Sequence, residues 1–412
     1  MVFSHRGHVV TIAERNVARL GSLRRGVSPI SETGLEEMLR DGIAAGRIHA
    51  VETAAEAVAS AEFIFLCVET PQAPDGSADL SFMIAAAEEI ATNLALGAIV
   101  VNKSTVPLGT VELIEKVIGR SDVTVVSNPE FLREGTAIAD SLHPDRIVVG
   151  ARNREIASRV ANLYSDTGAP VVITDATTSE LIKYASNAFL ATKLTFINTM
   201  AGLCDAVGAD VLDLVQGVGR DKRIGFEFMK PGPGWGGSCL PKDISALLNI
   251  AKSVSFDADI VEAAISGNER QMELVVNKIR VAAGGTLERR SVGILGLTFK
   301  ANTGDRRYSP AVSITQRLAQ QGASINAYDP TVIRMDSGSV DLAHLETYDD
   351  PYQAITGTDV VAILTEWPEF RDLDFARMRE LVSNPAIVDA RNLLEPGPIR
   401  DLGFSYTGIG RK

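Results

Sequence analysis

Short apolar runs rich in Val and Ile recur along the first 175 residues and alternate with stretches that have helical spacing. The runs lie at residues 9–13, 62–68, 98–104, 123–129, 146–151 and 170–175. Strands that are apolar along their whole length are buried on both faces, as in a parallel sheet covered by helices on each side. The pattern predicts a doubly wound α/β domain over residues 1–175.

The pattern changes at Thr177, where apolar residues begin to recur at the helical period. Residues 177–208 therefore predict one long connecting helix, and residues 244–283 predict more helical sequence. Runs typical of strands return at residues 291–299, 324–330, 360–367 and 386–392. We predict three domains, with a helical domain at 176–284 between α/β domains at 1–175 and 285–412.

The start of the first domain departs from a dinucleotide-binding fold, in which the first strand leads into G-x-G-x-x-G at a helix N-terminus. No such motif precedes the run at 9–13, and residues 3–8 are typical of the end of the helix that would follow it. In the strand order 3-2-1-4-5-6, the absent first strand would be central. We expect either a start of translation upstream of Met1 or a product with weak dinucleotide binding.

Glu14 follows the first apolar run, where a dinucleotide-binding fold places a carboxylate that binds ribose. This residue alone leaves two interpretations open. It is either a ribose-binding acid or an ordinary solvated acid at the end of a strand.

Charge and cysteine content exclude several classes of function. A net charge of -12 and a pI near 5.1 argue against a nucleic-acid surface, because phosphate binding requires clustered Lys and Arg. No apolar run reaches the roughly 18 to 20 residues of a membrane span, so we expect a cytosolic protein. Cys67, Cys204 and Cys239 lack the number and spacing of a disulfide framework or a zinc site, so we expect no metal.

The segment at residues 231–243, PGPGWGGSCLPKD, is the strongest candidate for chemistry. Its glycines allow a backbone to approach a ligand closely, and Cys239 follows directly. The alternative is that Cys239 is a buried structural cysteine, but a loop rich in glycine and proline favours a functional one. Cys67 and Cys204 lie in apolar stretches and are predicted to be small core residues.

Several segments resemble, in the same order, those of the UDP-glucose/GDP-mannose dehydrogenase family. They are KSTVPLGT (103–110), NPEFLREG (128–135), SELIKYASNAFLATK (179–193), RIG (223–225), GGSCLPKD (236–243), FK (299–300) and DRRYSP (305–310). The resemblance implies two Rossmann-like domains joined by a long central helix and a helical middle domain that forms a homodimer. It also implies that the first domain binds NAD and the last binds the UDP-sugar.

The activity that this resemblance implies is oxidation of a primary alcohol to a carboxylate with two NAD. A thiolate at Cys239 would trap the intermediate aldehyde as a thiohemiacetal, and the second oxidation would give a thioester that water hydrolyses. The implied substrate is UDP-glucose, and GDP-mannose is the alternative. A nucleotide-sugar binder without activity is an alternative from another class, which the missing glycine-rich turn favours.

The same resemblance assigns the chemistry to Cys239, Lys183, Asn187, Asp243, Thr105, Glu130 and Glu134. Lys183 and Asn187 would stabilise the developing oxyanions, and Asp243 would orient the hydrolytic water with the help of Thr105. Without the resemblance, the spacing of Lys183 and Asn187 is also compatible with a solvated helix face.

Binding residues are implied in the same way. NAD would contact Glu14, Thr70, Thr105, Glu134 and Arg307. The sugar nucleotide would contact Phe131, Leu132, Arg133, Glu134, Lys183, Asn187, Arg223, Phe228, Met229, Lys230, Pro231, Gly232, Gly236 and Lys300. Among these, Arg223 would reach across the dimer interface to the partner's substrate.

Overall fold

The computed structural model describes residues 1–30, 32–73, 75–331 and 342–411. The chain divides into two compact units. The first comprises Met1–Ser186 with Ser245–Ser255, and the second comprises Asn187–Ile244 with Phe256–Lys412. The three-domain division of the sequence stays a prediction.

The first unit contains short parallel strands alternating with helices. Its strands are β1 (Val10–Ala13), β2 (Ile48–Val51), β3 (Phe63–Leu66), β4 (Ile99–Asn102), β5 (Thr124–Ser127), β6 (Ile147–Gly150) and β7 (Val171–Thr174). Its helices are α1 (Val2–His5), α2 (Val17–Arg24), α3 (Leu35–Ala44), α4 (Ala54–Val58), α5 (Ser81–Ala91), α6 (Thr110–Ile118), α7 (Ala137–Leu142) and α8 (Arg154–Asn162), with a 3-10 turn at Ser165–Thr167. All six predicted strands of this part are present.

These strands form two separate sheets. Strands β1 and β2 pair with each other, and the other five follow the order β3-β4-β5-β6-β7. All pairs are parallel except β5 and β6, which meet in antiparallel orientation at Ser127 and Gly150. No strand of the described residues joins β1 to β3, as expected of a Rossmann-like sheet that lacks its first, central strand.

Strand β4 shows that the sheet of the first unit is covered on both faces. All four of its residues are buried. Val100 packs in one cluster with Met83 and Ile114, whereas Val101 packs in another with Val149. Alternate residues of a strand point to opposite faces, so both faces of the sheet contribute to the core. Each such aliphatic side chain contributes roughly 1.5–3 kcal/mol by burial.

Two helices contribute residues to both units, namely α9 (Ala176–Val207) and α11 (Leu240–Ser253). The long helix predicted for residues 177–208 is thus confirmed. The helical sequence predicted for 244–283 forms the end of α11 and a separate helix, α12 (Asp259–Ala282). None of the described helices is long and apolar enough to cross a membrane.

The second unit contains a second α/β sheet with further helices. Its strands are β8 (Ser291–Leu295), β9 (Ser324–Tyr328), β10 (Glu346–Thr347), β11 (Val360–Ile363), β12 (Ala386–Asp389) and β13 (Ser405–Thr407). Its other helices are α10 (Val211–Gly219), α13 (Pro310–Gln320), α14 (Pro351–Ile355), α15 (Phe375–Leu381) and α16 (Pro396–Asp401), with a 3-10 turn at Pro368–Arg371.

This second sheet is parallel throughout, in the order β10-β9-β8-β11-β12-β13. Counted along the chain, that is the doubly wound order 3-2-1-4-5-6, so the predicted Rossmann-like fold is confirmed. At the end of β9, buried Asp329 accepts the N–H groups of Leu297 (2.7 Å) and Thr298 (3.1 Å). A protein carboxylate thus holds the turn after β8, which leads to Lys300.

Two cysteines outside the glycine-rich segment have different environments. Cys204 is buried, which confirms the prediction for that residue. Cys67 is exposed, so its prediction as a core residue is wrong. Strand β3 ends at Leu66, and Cys67 therefore lies beyond the part of the apolar run that is covered by neighbouring strands.

Candidate active site

Lys183 lies within the first unit on helix α9 and is buried, with 5% of its side chain exposed. Its Nζ is 3.3 Å from Oε1 of Glu130 and 5.4 Å from the centre of the Phe131 ring. Glu130 and Phe131 follow the carboxyl end of β5, the side of a parallel sheet on which ligands bind. A solvated helix face is therefore excluded for Lys183, and the structure brings two of the predicted site residues, Lys183 and Glu130, together.

The loop that carries Glu130 begins at Asn128, which is buried and hydrogen-bonded through both the oxygen and the nitrogen of its side-chain amide. Asn128 Oδ1 accepts from Tyr164 Oη (2.6 Å) and Lys103 Nζ (3.1 Å), and its Nδ2 donates to the Val148 carbonyl (2.7 Å). Burial lowers the pKa of Lys103 to about 8, while nearby Glu130 acts in the opposite direction. The sequence motifs contained Lys103 and Asn128, but their roles were not predicted.

Thr105 lies in the loop after β4, also within the first unit. Thr70 Oγ1 donates to the Thr105 carbonyl at 2.8 Å, and both residues are buried. The two predicted cofactor contacts are thus brought together. Nearby in sequence, Asn102 ends β4 and is buried, and its Oδ1 has no hydrogen-bond partner in the described part of the chain.

Glu180 connects this loop to helix α9 and was not predicted from the sequence. Its carboxylate accepts the N–H groups of Gly109 (2.8 Å) and Val111 (3.1 Å) at the amino end of α6. Burial nevertheless raises the pKa of Glu180 from 4.5 to about 7. An acid three residues before Lys183, on the same helix face, was the available sequence signal.

We expect Glu180 to make stability depend on pH. Because its pKa is raised in the folded protein, its stabilising contribution is complete below about pH 4.5 and is lost as pH rises through 7. The change corresponds to roughly 3 kcal/mol at most. Urea unfolding at pH 5, 6.5 and 8 should show that the stability of the parent relative to Glu180→Gln declines with pH. A difference independent of pH would contradict this assignment.

The second group of predicted residues lies within the second unit. Cys239 is half-buried and directly precedes α11, and its Sγ lies 3.6 Å from Ser238 Oγ. Asp243 is 2% exposed and accepts hydrogen bonds from Asn187 Nδ2 (2.6 Å) and Lys242 Nζ (2.5 Å). The Asp243 N–H donates to the Cys239 carbonyl, so the two residues stand one helical turn apart.

This arrangement combines a thiol with a buried carboxylate held in a fixed position. The Asn187 amide and the Lys242 ammonium both donate to Asp243, which offsets part of the cost of burying its charge. Asn187 itself is buried, so the solvated-face interpretation is excluded for this residue too. The arrangement can provide a nucleophile and an acceptor that orients water.

The remaining predicted substrate residues of the second unit differ in exposure. Those buried are Met229, Pro231, Gly232 and Gly236, those half-buried are Phe228 and Lys300, and those exposed are Arg223 and Lys230. Arg223 is 88% exposed and pairs with Asp221 at 2.6 Å. Arg307 pairs with Asp305 at 2.8 Å.

In the first unit, the predicted residues Leu132, Arg133 and Glu134 continue the loop after Glu130. The Leu132 N–H donates to Glu130 Oε2 at 2.6 Å, and Leu132 itself is 41% exposed. Arg133 pairs with Asp140 at 2.6 Å, and Glu134 is half-buried. The carboxylate of Glu130 thus stabilises the turn of its own loop.

Groups suited to a dinucleotide are present at the carboxyl ends of two strands. Glu14 directly follows β1, accepts the Asn16 N–H at 2.8 Å and pairs with Arg19 at 3.1 Å. Asn102 ends β4, and its Oδ1 is without a hydrogen-bond partner among the described residues. The Glu14 carboxylate is suited to a ribose hydroxyl, and the Asn102 acceptor is suited to an amide N–H, because both lie at carboxyl ends of parallel strands, where ligands bind.

Comparison with known families gives matches along the chain. The UDP-glucose/GDP-mannose dehydrogenase family matches through its NAD binding domain at residues 1–167, its central domain at 177–270 and its UDP binding domain at 293–396. The first match identifies NAD as the cofactor. The family resemblance predicted from the sequence motifs is confirmed.

Individual proteins agree with these matches. The UDP-glucose 6-dehydrogenase of Rhizobium meliloti is 43% identical over 99% of this chain and 95% of its own length. That of Pseudomonas aeruginosa is 41% identical, with coverage of 99% and 94%. The structure of a UDP-glucose dehydrogenase from Pyrobaculum islandicum superimposes with a TM-score of 0.91 at 36% identity, covering 100% of this chain and 94% of that one.

Proposed function

Because the chain belongs to the UDP-glucose/GDP-mannose dehydrogenase family, we propose that it oxidises C6 of UDP-glucose to a carboxylate, giving UDP-glucuronate. The observation that carries the proposal is the buried Asp243, held by Asn187 and Lys242, one helical turn from Cys239. The names of the similar proteins from Rhizobium meliloti and Pseudomonas aeruginosa support UDP-glucose as the substrate.

The reaction removes four electrons in two steps. NAD, bound twice in succession, supplies the hydride acceptor. The alcohol first becomes an aldehyde, and the Cys239 sulfur adds to its carbonyl carbon to form a thiohemiacetal. Loss of a second hydride equivalent and the hydroxyl proton gives a thioester. Water then cleaves the carbon–sulfur bond, which releases the carboxylate and restores the thiol.

Buried polar side chains support the charge changes in these steps. Lys183 and Asn187 lie one turn apart on α9, and we assign to each a hydrogen bond to the substrate oxygen that becomes negatively charged during the reaction. Asp243 orients the hydrolytic water, with the Thr105 hydroxyl as a second contact. Glu130, which pairs with Lys183 in the first unit, fixes the position of that ammonium. Glu134 of the same loop is the second acid that we assign to the reacting centre.

Residues of the first unit hold the cofactor in this proposal. Glu14 binds a ribose hydroxyl after β1, and Thr70 and Thr105 contact the dinucleotide from the loops after β3 and β4. The hydrogen bond between Thr70 and the Thr105 carbonyl keeps the two loops in register. Glu134 of the first unit and Arg307 of the second unit complete the predicted set.

The sugar nucleotide is bound by the loop after β5, the loop before α11 and Lys300. The residues assigned are Phe131, Leu132, Arg133, Glu134, Lys183, Asn187, Arg223, Phe228, Met229, Lys230, Pro231, Gly232, Gly236 and Lys300. The cations among them would neutralise the two phosphates, which a chain of net charge -12 must bind with a few placed side chains.

The test is the stoichiometry of NADH formation with limiting UDP-glucose, measured by absorbance, with GDP-mannose as the control substrate. Two NADH per UDP-glucose and no turnover of GDP-mannose are expected. Turnover of GDP-mannose alone would assign the chain to the other substrate of the family. Binding of UDP-glucose without any NADH would support the non-catalytic binder instead.

We also propose that the protein is a homodimer that pairs through α9. Phe189 (65% exposed), Phe196 (49%) and Leu203 (53%) lie seven residues apart and form one apolar stripe on this helix. Large apolar side chains repeated at that spacing are typical of a helix that packs against a second one.

Replacement of Phe196 by Glu should convert the dimer to a monomer, because a charge would then have to be buried at the centre of the stripe. Light scattering after size exclusion measures the mass directly. Val281→Glu, which alters another exposed apolar residue on α12 (64% exposed), is the matched control and should leave the mass unchanged. A Phe196→Glu protein with the parent mass would exclude this interface.

A further inference from the structure

The main chain of the glycine-rich loop before Cys239 is hydrogen-bonded to amide side chains of two helices in the second unit. The Gly232 N–H donates to Asn198 Oδ1 of α9 (2.8 Å), and its carbonyl accepts from Gln271 Nε2 of α12 (2.7 Å). The Trp235 N–H donates to Asn268 Oδ1 (2.8 Å), and its carbonyl accepts from Asn268 Nδ2 (3.0 Å). Four backbone groups of the loop are thus satisfied by three side chains.

These three amides are costly to bury and make no other contribution to the proposed chemistry. Asn198, Asn268 and Gln271 are 4%, 6% and 4% exposed. A buried amide without partners costs roughly 1–3 kcal/mol, whereas an apolar residue at the same position would stabilise the helix packing. Their presence is explained by the loop, whose irregular backbone has no strand or helix partners to satisfy its N–H and C=O groups.

The indole of Trp235 adds a further contact to the same network. Its Nε1 donates to Thr195 Oγ1 of α9 at 2.9 Å, and the ring packs with Ala191 and Ile244. Ile244 is the fifth residue of α11, the helix that begins directly after Cys239. The position of Trp235 is therefore coupled to the start of that helix.

The other side of the loop is closed by the segment after β8. A Cβ on Gly236 would collide with the Tyr308 carbonyl, and one on Gly237 (φ +86°) would lie 2.8 Å from the Phe299 ring. These glycines have no room for a side chain, and Gly237 adopts a left-handed conformation. The loop is fixed from both sides, with hydrogen bonds on one side and close packing on the other.

We propose that Asn198, Asn268 and Gln271 are positioning residues that hold the loop from Gly232 to Trp235 and thereby set the place of the Cys239 thiol. The inference rests on the proposed function for its catalytic consequence, but the positioning itself is independent of turnover. Releasing one amide contact frees the loop while the helices α9 and α12 keep their apolar packing.

The three cysteines provide a test in the full-length protein. Gln271→Met removes the donor to the Gly232 carbonyl with little change in shape, and Thr195→Val removes the acceptor of the Trp235 indole if the first variant does not fold. Asn277→Ala alters an exposed amide on the same helix and is the control. Brief alkylation with iodoacetamide, read by peptide mass spectrometry, gives the rate at each thiol.

Exposed Cys67 is the internal reference, and buried Cys204 reports opening of the second unit. We expect the Cys239 rate, relative to Cys67, to change at least fivefold in Gln271→Met while Cys204 stays protected and the control is unchanged. The KM for UDP-glucose should rise about tenfold with the KM for NAD within twofold. An unchanged Cys239 rate, or equal gains at Cys239 and Cys204, overturns the proposal. If Gln271→Met changed the alkylation rate of Cys239 alone and the parent protein did not turn over UDP-glucose, the positioning role would stand and the proposed function would fail.

Discussion

Replacing Cys239 by Ala should lower the steady-state rate of NADH formation from UDP-glucose by at least roughly 1000-fold. The variant loses the sulfur that forms both covalent intermediates, and no other described cysteine of the second unit is accessible, since Cys204 is buried. The affinity for UDP-glucose, measured by calorimetry, should stay within about threefold of the parent value, because the residues proposed to bind the nucleotide do not include Cys239.

The matched control is Cys67→Ala, which removes an exposed thiol outside the proposed chemistry. It should retain turnover within about twofold. If Cys239→Ala still produced two NADH per UDP-glucose at a rate near that of the parent, covalent catalysis at this residue would be excluded. Loss of UDP-glucose binding together with activity would instead assign Cys239 to substrate binding.

The fold was predictable where strands are buried on both faces. Strands such as β4 and β11 are buried along their whole length and almost entirely apolar, because helices cover both sides of their sheets, and such runs stand out in a sequence. The strands that were missed are β2, β10 and β13. All three carry polar residues and lie at sheet edges, and β10 and β13 have only two and three residues. The apolar pattern is therefore weak in these strands.

The separation of β1 and β2 from the other strands was also predictable from the sequence. The absence of G-x-G-x-x-G before the first apolar run indicated which strand would be missing, and strand order then placed the gap at the centre of the sheet. Strand β1 shows alternating exposure, whereas β4 is completely buried. In the described residues, β1 belongs to a sheet of two strands, whereas β4 lies inside a sheet of five.

The candidate site was predictable only in its motif residues. Lys183 and Asn187 could have lain on a solvated helix face, and their burial depends on tertiary packing that local spacing does not encode. Glu180, Asn268 and Gln271 were not predicted for the same reason. A polar residue within a helix usually faces water, and these three are identified only by the backbone groups they bind.

Replacing Asp243 by Asn should separate the oxidation steps from hydrolysis of the thioester. The neutral amide keeps the size of the carboxylate but is a poor acceptor for a proton from water, so kcat should fall by roughly 100- to 10,000-fold. Both oxidations precede this step. Rapid-mixing absorbance should therefore show a burst approaching two NADH per chain, followed by very slow turnover.

The trapped species is directly measurable. Acid quenching after the burst, followed by intact mass spectrometry, should reveal a UDP-glucuronyl thioester on Cys239 in Asp243→Asn and little of it in the parent. Asp213→Asn, at an exposed position on α10, is the control and should behave as the parent. Because Asp243 is also the partner of Lys242, urea unfolding must confirm that the variant is folded. A folded variant that is slow without a burst would move Asp243 from the hydrolytic step to an earlier one, since the carboxylate would then be needed before the thioester forms.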